Sequence, residues 1–239
     1  MTAPIDRRAA LRLVAAGVGA IVLAGCSSSD EGGNGDPTAD TVSPFGGTVP
    51  PGGPAIDLNP TGVAAVRIVA MVGDSITAGS EPGLDAMAAD LGIDLTVNAE
   101  VGRRITVGRT PPSGVSAVEG LMEGGLAPDL WVIALGTNDL GKYGSTSEYG
   151  DLIEALLDLL PSGVPLVWIN TYITSDPDDA ATFNEALIDT LSARGRATIG
   201  RWASVAFEDG VLSDGIHPTE EGQTEFVAVV RKQLLSWMN

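Results

Sequence analysis

The sequence predicts an α/β domain built on a parallel sheet, and three observations carry that prediction. From about residue 63 onward, short apolar runs rich in β-branched residues recur, as expected of strands buried on both faces. Stretches with helical spacing separate most of these runs, and such alternation implies helices covering both faces of a parallel sheet. The chain has 239 residues, 44% of them hydrophobic, enough for one domain of roughly 150–200 residues plus appendages.

Taken in order, "AVRIVAMVG" is the first strand and a helix follows around "EPGLDAMAADLG". "DLTVNAEV" is the second strand, "SAVEGLMEGG" a helix and "DLWVIALG" the third strand. The helix "TSEYGDLIEALLDLL", the strand "PLVWINTYI", the helix "DDAATFNEALIDTLSAR" and the strand "ATIGRWASV" come next. The last helix is "PTEEGQTEFVAVVRKQLLSWMN", with Pro218 where a helix can begin and acids in its first turn. Trp131, Trp168, Trp202 and Trp237 fall within these patterns and read as core. The three aspartates of "SDPDDAATF" read as an acid-rich helix start rather than a calcium site.

The first 60 residues have a different character. Arg7, Arg8 and Arg12 precede the apolar run "LVAAGVGAIVLAG", which stops at Cys26. At about 13 residues the run is short of the ~20 that span a bilayer, so residues 1–25 read as a signal peptide. "LAGC" resembles the lipobox of bacterial lipoproteins, which implies lipidation of Cys26 and an exported, lipid-anchored protein at the outer face of the membrane or in the cell envelope. The Arg7-Arg8 pair loosely resembles a twin-arginine signal, so the export route stays open. Residues 26–60, rich in Ser, Gly, Asp, Thr and Pro, read as a disordered tether reaching roughly 30 Å, and the domain proper as residues 61–239.

Composition narrows the partners. A net charge of −18 disfavours nucleic acid, whose backbone demands clustered positive charge. Cys26 is the only cysteine, so no disulfide is expected inside the domain, and no His/Cys set exists for zinc. There is no G-x-G-x-x-G or P-loop, so neither cofactor nor metal is expected. A monomer is expected.

Ligands of parallel α/β sheets bind at the carboxyl ends of the strands, so the polar residues just after each strand are the ones to weigh. "VGDSITAG" puts Ser75 near a helix start, where it reads either as an N-cap or as an exposed hydroxyl beside unpaired N–H groups. "NAEVGRRI" offers Gly102, a turn glycine or a bare backbone N–H close to a ligand. "LGTNDL" offers Asn138, a turn former or a side-chain donor for an oxyanion. In "SDGIHP", Asp214 stands three residues before His217, the sole histidine. On a loop that spacing lets the carboxylate hold one ring nitrogen while the other faces a nucleophile, although a plain surface histidine fits as well.

Together, "GDS" after the first strand, Gly after the second, "GTND" after the third and "DGIHP" before the last helix resemble the SGNH hydrolase family, also called GDSL-type. The resemblance spans about residues 67–239, and no G-x-S-x-G elbow competes with it. It implies a flavodoxin-like three-layer α/β/α sandwich around a mostly five-stranded parallel sheet. It further implies Ser75 as nucleophile, His217 as general base and Asp214 as its orienting carboxylate. The oxyanion hole would comprise the N–H groups of Ser75 and Gly102 and the amide of Asn138. "VGRRITVGR" departs from many members and looks more like the SGNH domains of cell-envelope O-acetyltransferases, which makes Arg103 and Arg104 candidate substrate contacts; pairing with surface acids is the alternative. The expected function is ester hydrolysis on small or carbohydrate-linked acyl esters. Acyl transfer to an envelope glycan is the near rival, and a non-catalytic glycan-binding lipoprotein the distant one.

Overall fold

The computed structural model describes residues 65–238. The signal peptide read over residues 1–25, Cys26 and the tether to residue 60 lie outside the described residues. Five parallel strands form one sheet in the order β2-β1-β3-β4-β5: β1 (Ile68–Gly73), β2 (Asp94–Ala99), β3 (Leu130–Ala134), β4 (Leu166–Ile169) and β5 (Ala197–Gly200). Because strand side chains alternate between faces, the apolar runs feed two separate cores. Ala70, Val72, Trp131, Ile133 and Trp168 face α2 (Gly114–Glu123), α3 (Thr146–Leu157) and α4 (Pro177–Arg194). Val69, Met71, Val132, Val167 and Ile169 face α1 (Ser75–Leu91), α5 (Trp202–Ala206) and α6 (Glu220–Met238). The result is the three-layer α/β/α sandwich expected from the sequence. All four tryptophans are buried in these cores. Among the described residues no helix is long and apolar enough to cross a membrane.

Three boundaries differ from the sequence reading. Helix α1 begins at Ser75, well ahead of Glu81, because the Asp74 side chain caps it by accepting from the Ile76 N–H at 3.0 Å. Pro82 lies inside the helix. "ATIGRWASV" is not one strand: β5 ends at Gly200 and α5 begins at Trp202, with the Ala203 N–H donating to Asn170 Oδ1 at 2.8 Å. The buried positions Trp202, Ala203 and Ala206 have helical spacing, which a period-two reading of the run misses. Finally, α6 starts after Pro218, which bridges to Leu212, and Thr219 Oγ1 caps the helix by accepting from Gly222 N–H at 3.1 Å.

Strand order and register decide where the site forms. β1 lies between β2 and β3, and Gly73 pairs level with Ala99 on one side and with Ala134 on the other. Segments that leave these strands therefore emerge side by side. Helices α1 and α3, which follow the neighbouring strands β1 and β3, pack on opposite faces. The crevice opened between the ends of β1 and β3 is the switch point where such sheets bind ligands.

Candidate active site

Ser75 is the first residue of α1, immediately past the end of β1, and is partly exposed. Its Oγ lies 3.0 Å from His217 Nε2. His217 comes from the loop before α6, and its Nδ1 lies 2.8 Å from Asp214 Oδ2. A hydroxyl, an imidazole and a carboxylate thus stand in series across 142 residues of chain.

The loop that carries the last two is folded by its own polar groups. Asp214 Oδ1 accepts from the N–H of Ile216 (3.0 Å) and of His217 (2.8 Å), while the N–H of Ser213 donates to the His217 carbonyl at 2.8 Å. Gly215 sits at φ 85°, and a Cβ there would overlap Thr174 Oγ1, so only glycine fits this corner. The His217 backbone N–H, the ring and the Ile216 N–H hold the Asp214 carboxyl well below the usual carboxylate range. Both side chains are open to water, at 45% exposure for His217 and 55% for Asp214.

Gly102 lies on the turn after β2. The Arg103 N–H donates to the Glu100 carbonyl at 3.2 Å, closing a four-residue turn whose third residue, Gly102, has φ 77°. That geometry requires a residue tolerant of positive φ, and Gly102 is exposed there. Asn138 lies in the short 3₁₀ turn Thr137–Asp139 that follows β3. Its Nδ2 donates to the Arg103 carbonyl at 3.1 Å and to Asp74 Oδ2 at 3.3 Å. Ser75, Gly102 and Asn138 are therefore brought to one crevice, with the Asn138 amide linking the segments after all three strands.

Of the two candidate arginines, Arg103 does not lie where the sequence reading put it, while Arg104 stays partly exposed. Arg103 is only 2% exposed and points under the crevice, not to its rim. Its guanidinium donates to the carbonyls of Asn98 (2.5 Å), Pro112 (3.1 Å) and Gly73 (3.2 Å) and to Asn98 Oδ1 (2.9 Å). With these donors committed inside the protein, Arg103 is corrected from a substrate contact to an internal group. Arg104 pairs not with a surface acid but with fully buried Asp139, its Nε 2.9 Å from Oδ1, and also donates to Tyr143 Oη at 2.9 Å. Its cation lies 5.7 Å from the centre of the Tyr143 ring.

Two functional neighbours escaped the sequence reading. Asp74 is buried beside Ser75, and burial pushes its carboxyl up to about 6, against the opposing pull of the Ile76 N–H. Asp139, next to Asn138, is also raised by burial, although the Ile105 N–H and Arg104 favour its charged form. The available signal was position: Asp74 directly follows β1, buried from Val69 onward, and Asp139 closes the short turn after the fully buried β3, places where a carboxylate has little access to water. Asp179, from "SDPDDAATF", accepts from Tyr149 Oη and Gly141 N–H at the start of α4, in keeping with the acid-rich helix start. Among the described residues no group of three or more His, Cys, Asp or Glu side chains is arranged to hold a metal.

A serine hydroxyl in line with His and Asp, at the first residue of a helix and the carboxyl edge of a parallel sheet, defines an acyl-transfer enzyme that works on ester bonds. The sequence profile of the GDSL-like Lipase/Acylhydrolase family matches residues 71–224, more than half of the chain. The chain belongs to this family, the SGNH hydrolases. The fold is shared with the C-terminal catalytic domain of Streptococcus pneumoniae peptidoglycan O-acetyltransferase A, solved with a methylsulfonyl adduct. That pair has a TM-score of 0.59 at 16% identity, covering 73% of this chain and 96% of that one. A G-D-S-L family lipolytic protein from Veillonella parvula gives 0.57 at 16% identity, with 70% and 96% coverage. TesA gives 0.58 at 19% identity, with 72% and 99% coverage. No curated protein matches the sequence.

Proposed function

We propose that this chain is an exported, membrane-tethered serine ester hydrolase acting on acyl esters of small or carbohydrate-linked alcohols. The observation that supports this best is the Ser75–His217–Asp214 series, with contacts of 3.0 and 2.8 Å and its imidazole about half exposed. So open a base suits an acyl group carried on a bulky polar alcohol. As Ser75 Oγ attacks the ester carbonyl, His217 Nε2 takes its proton, and Asp214 stabilises the imidazolium through Nδ1. The oxyanion receives the N–H groups of Ser75 and Gly102 and the Asn138 amide, which trades away its longer bond to Asp74. Collapse expels the alcohol with the proton from His217. Water, deprotonated by the same imidazole, then attacks the acyl-enzyme and releases the acid. The signal-like run and Cys26 supply the anchor, residues 26–60 the tether, and the enzyme works as a monomer.

Acyl transfer differs only in the second acceptor, a glycan hydroxyl in place of water. The apolar leader ending at Cys26 favours it by putting the enzyme beside envelope glycans, and so does the likeness to a domain named for peptidoglycan O-acetylation. Incubation with p-nitrophenyl acetate, with and without chitooligosaccharide, separates the two: hydrolysis predicts acetate alone, transfer predicts acetylated sugar. A fluorophosphonate should label the wild-type protein at Ser75 and leave Ser75→Ala unlabelled. A folded wild-type protein that resists labelling would instead be a glycan binder.

A further inference from the structure

Arg103 is an unusual residue to bury. Moving a guanidinium out of water costs several kcal/mol unless its donors are met, and an apolar side chain of similar volume would often fill the space at no loss of stability. Its four hydrogen bonds all end on neutral oxygens, and among the described residues no carboxylate lies within ion-pair distance of it. What those oxygens belong to is informative. Gly73 ends β1, directly before Asp74 and Ser75. Asn98 lies at the end of β2, ahead of the Gly102 turn. Pro112 closes the loop that leaves that turn and precedes α2. The backbone of the same residue completes the set, since its N–H closes the turn and its carbonyl accepts from Asn138 Nδ2.

We propose that Arg103 is the positioning residue of the oxyanion hole. Its guanidinium fastens the Gly102 turn to the end of β1, and its carbonyl aims the Asn138 amide. This rests on the assignment of Ser75, Gly102 and Asn138 given above. A donor that acts in the transition state must already be aimed, because reorganising it during the reaction forfeits much of its effect. The planar fork of arginine suits the task. It reaches three segments at once, which a lysine, a single point charge on a flexible stem, does not reproduce. The buried positive charge, one residue from Gly102, also favours negative charge developing in the crevice.

The test is hydrolysis of p-nitrophenyl acetate by full-length Arg103→Gln and Arg103→Lys, alone and combined with Asn138→Ala. Losing one oxyanion donor costs about 10²–10³ in kcat, so a misaimed hole should cost Arg103→Gln roughly 30-fold or more, with KM within about twofold. Arg103→Lys should recover only part of that loss. In the Asn138→Ala background the same change should cost less, since one of the two donors it would misaim is already gone and only the Gly102 N–H remains to be displaced. Wild-type kcat in Arg103→Gln, or an equal cost in both backgrounds, would overturn the proposal. If Arg103→Gln does not fold, Asn98→Ala carries the test by removing one guanidinium acceptor at a half-buried site. A severalfold fall in kcat with KM intact supports the clamp, and an unchanged kcat refutes it. A Ser75→Ala protein that still turns over would remove the underlying assignment, an outcome distinct from all of these.

Discussion

Asp214 and His217 share one loop and are joined by contacts that span three residues of chain, whereas the crevice opposite them is tied by bonds that include spans of 30, 35 and 64 residues. The first region stands about half in water. The second rests on Asp74, Arg103 and Asp139, all buried. The difference is one of task. A base must exchange protons with substrate and solvent, and a short self-bonded loop keeps its carboxylate in place without burial. Donors to an oxyanion gain most in a water-poor setting where they cannot reorient, and only distant segments packed together provide that.

The contrast is tested hardest at the exposed half. Ser75→Ala or His217→Ala should lower kcat by roughly 10⁴–10⁶, as when a catalytic unit is broken. Thermal unfolding should barely change, because neither residue belongs to the core. Near-normal turnover in either variant would sink the mechanism.

At the buried half the order reverses, and stability suffers first. Arg104→Ala leaves the Asp139 carboxylate buried without its cation, and should cost about 3–5 kcal/mol in chemical denaturation. Asp214→Asn, at a water-exposed position, should move the midpoint far less. Equal shifts for the two would mean that burial does not separate the regions.

The subtlest test is pH, since the two site aspartates have opposite signs. The Asp214 carboxyl is lowered, so its contribution is present above the ordinary carboxylate range and lost as pH falls. Asp74 is raised to about 6, so the folded state holds its proton more tightly than the unfolded chain. Its contribution is full below pH ~4 and lost as pH rises to about 6, on the order of 3 kcal/mol. Asp74→Asn keeps an oxygen for the Ile76 cap but cannot ionise. Its melting temperature relative to wild type should therefore climb between pH 4 and 7.5. A constant difference across that range would show that Asp74 does not titrate there.

Much of the fold and of the site was legible in the chain itself. Apolar runs separated by helical stretches announced the parallel sheet, because strand and helix periods differ, although the run "ATIGRWASV" also held the start of a helix. The motif residues stood at strand ends, where sheets of this kind keep their ligands. "SDGIHP" was the most readable piece, since spacing alone can bring Asp214 to His217. The surroundings of Arg103 and the acid that pairs with Arg104 were not legible, for the converse reason. A charged residue in a loop is usually solvated, and nothing local reveals that Asn98, Gly73 and Pro112 gather around one guanidinium, or that Asp139 waits beneath the other.

By itself, then, the sequence determined the class of fold, the family and the residues of the Ser–His–Asp series. The class of fold follows from periodicity and the Asp214–His217 pairing from a three-residue spacing, both acting between near neighbours. The family and the place of Ser75 in the series follow instead from the resemblance of the four motifs. Only the tertiary structure decided that Asp74 and Asp139 lie in the interior, and that Arg103 sits under the crevice instead of facing substrate. Those outcomes depend on which strands end level with one another and what desolvates whom. Register and burial belong to the packed sheet, not to any single stretch of it.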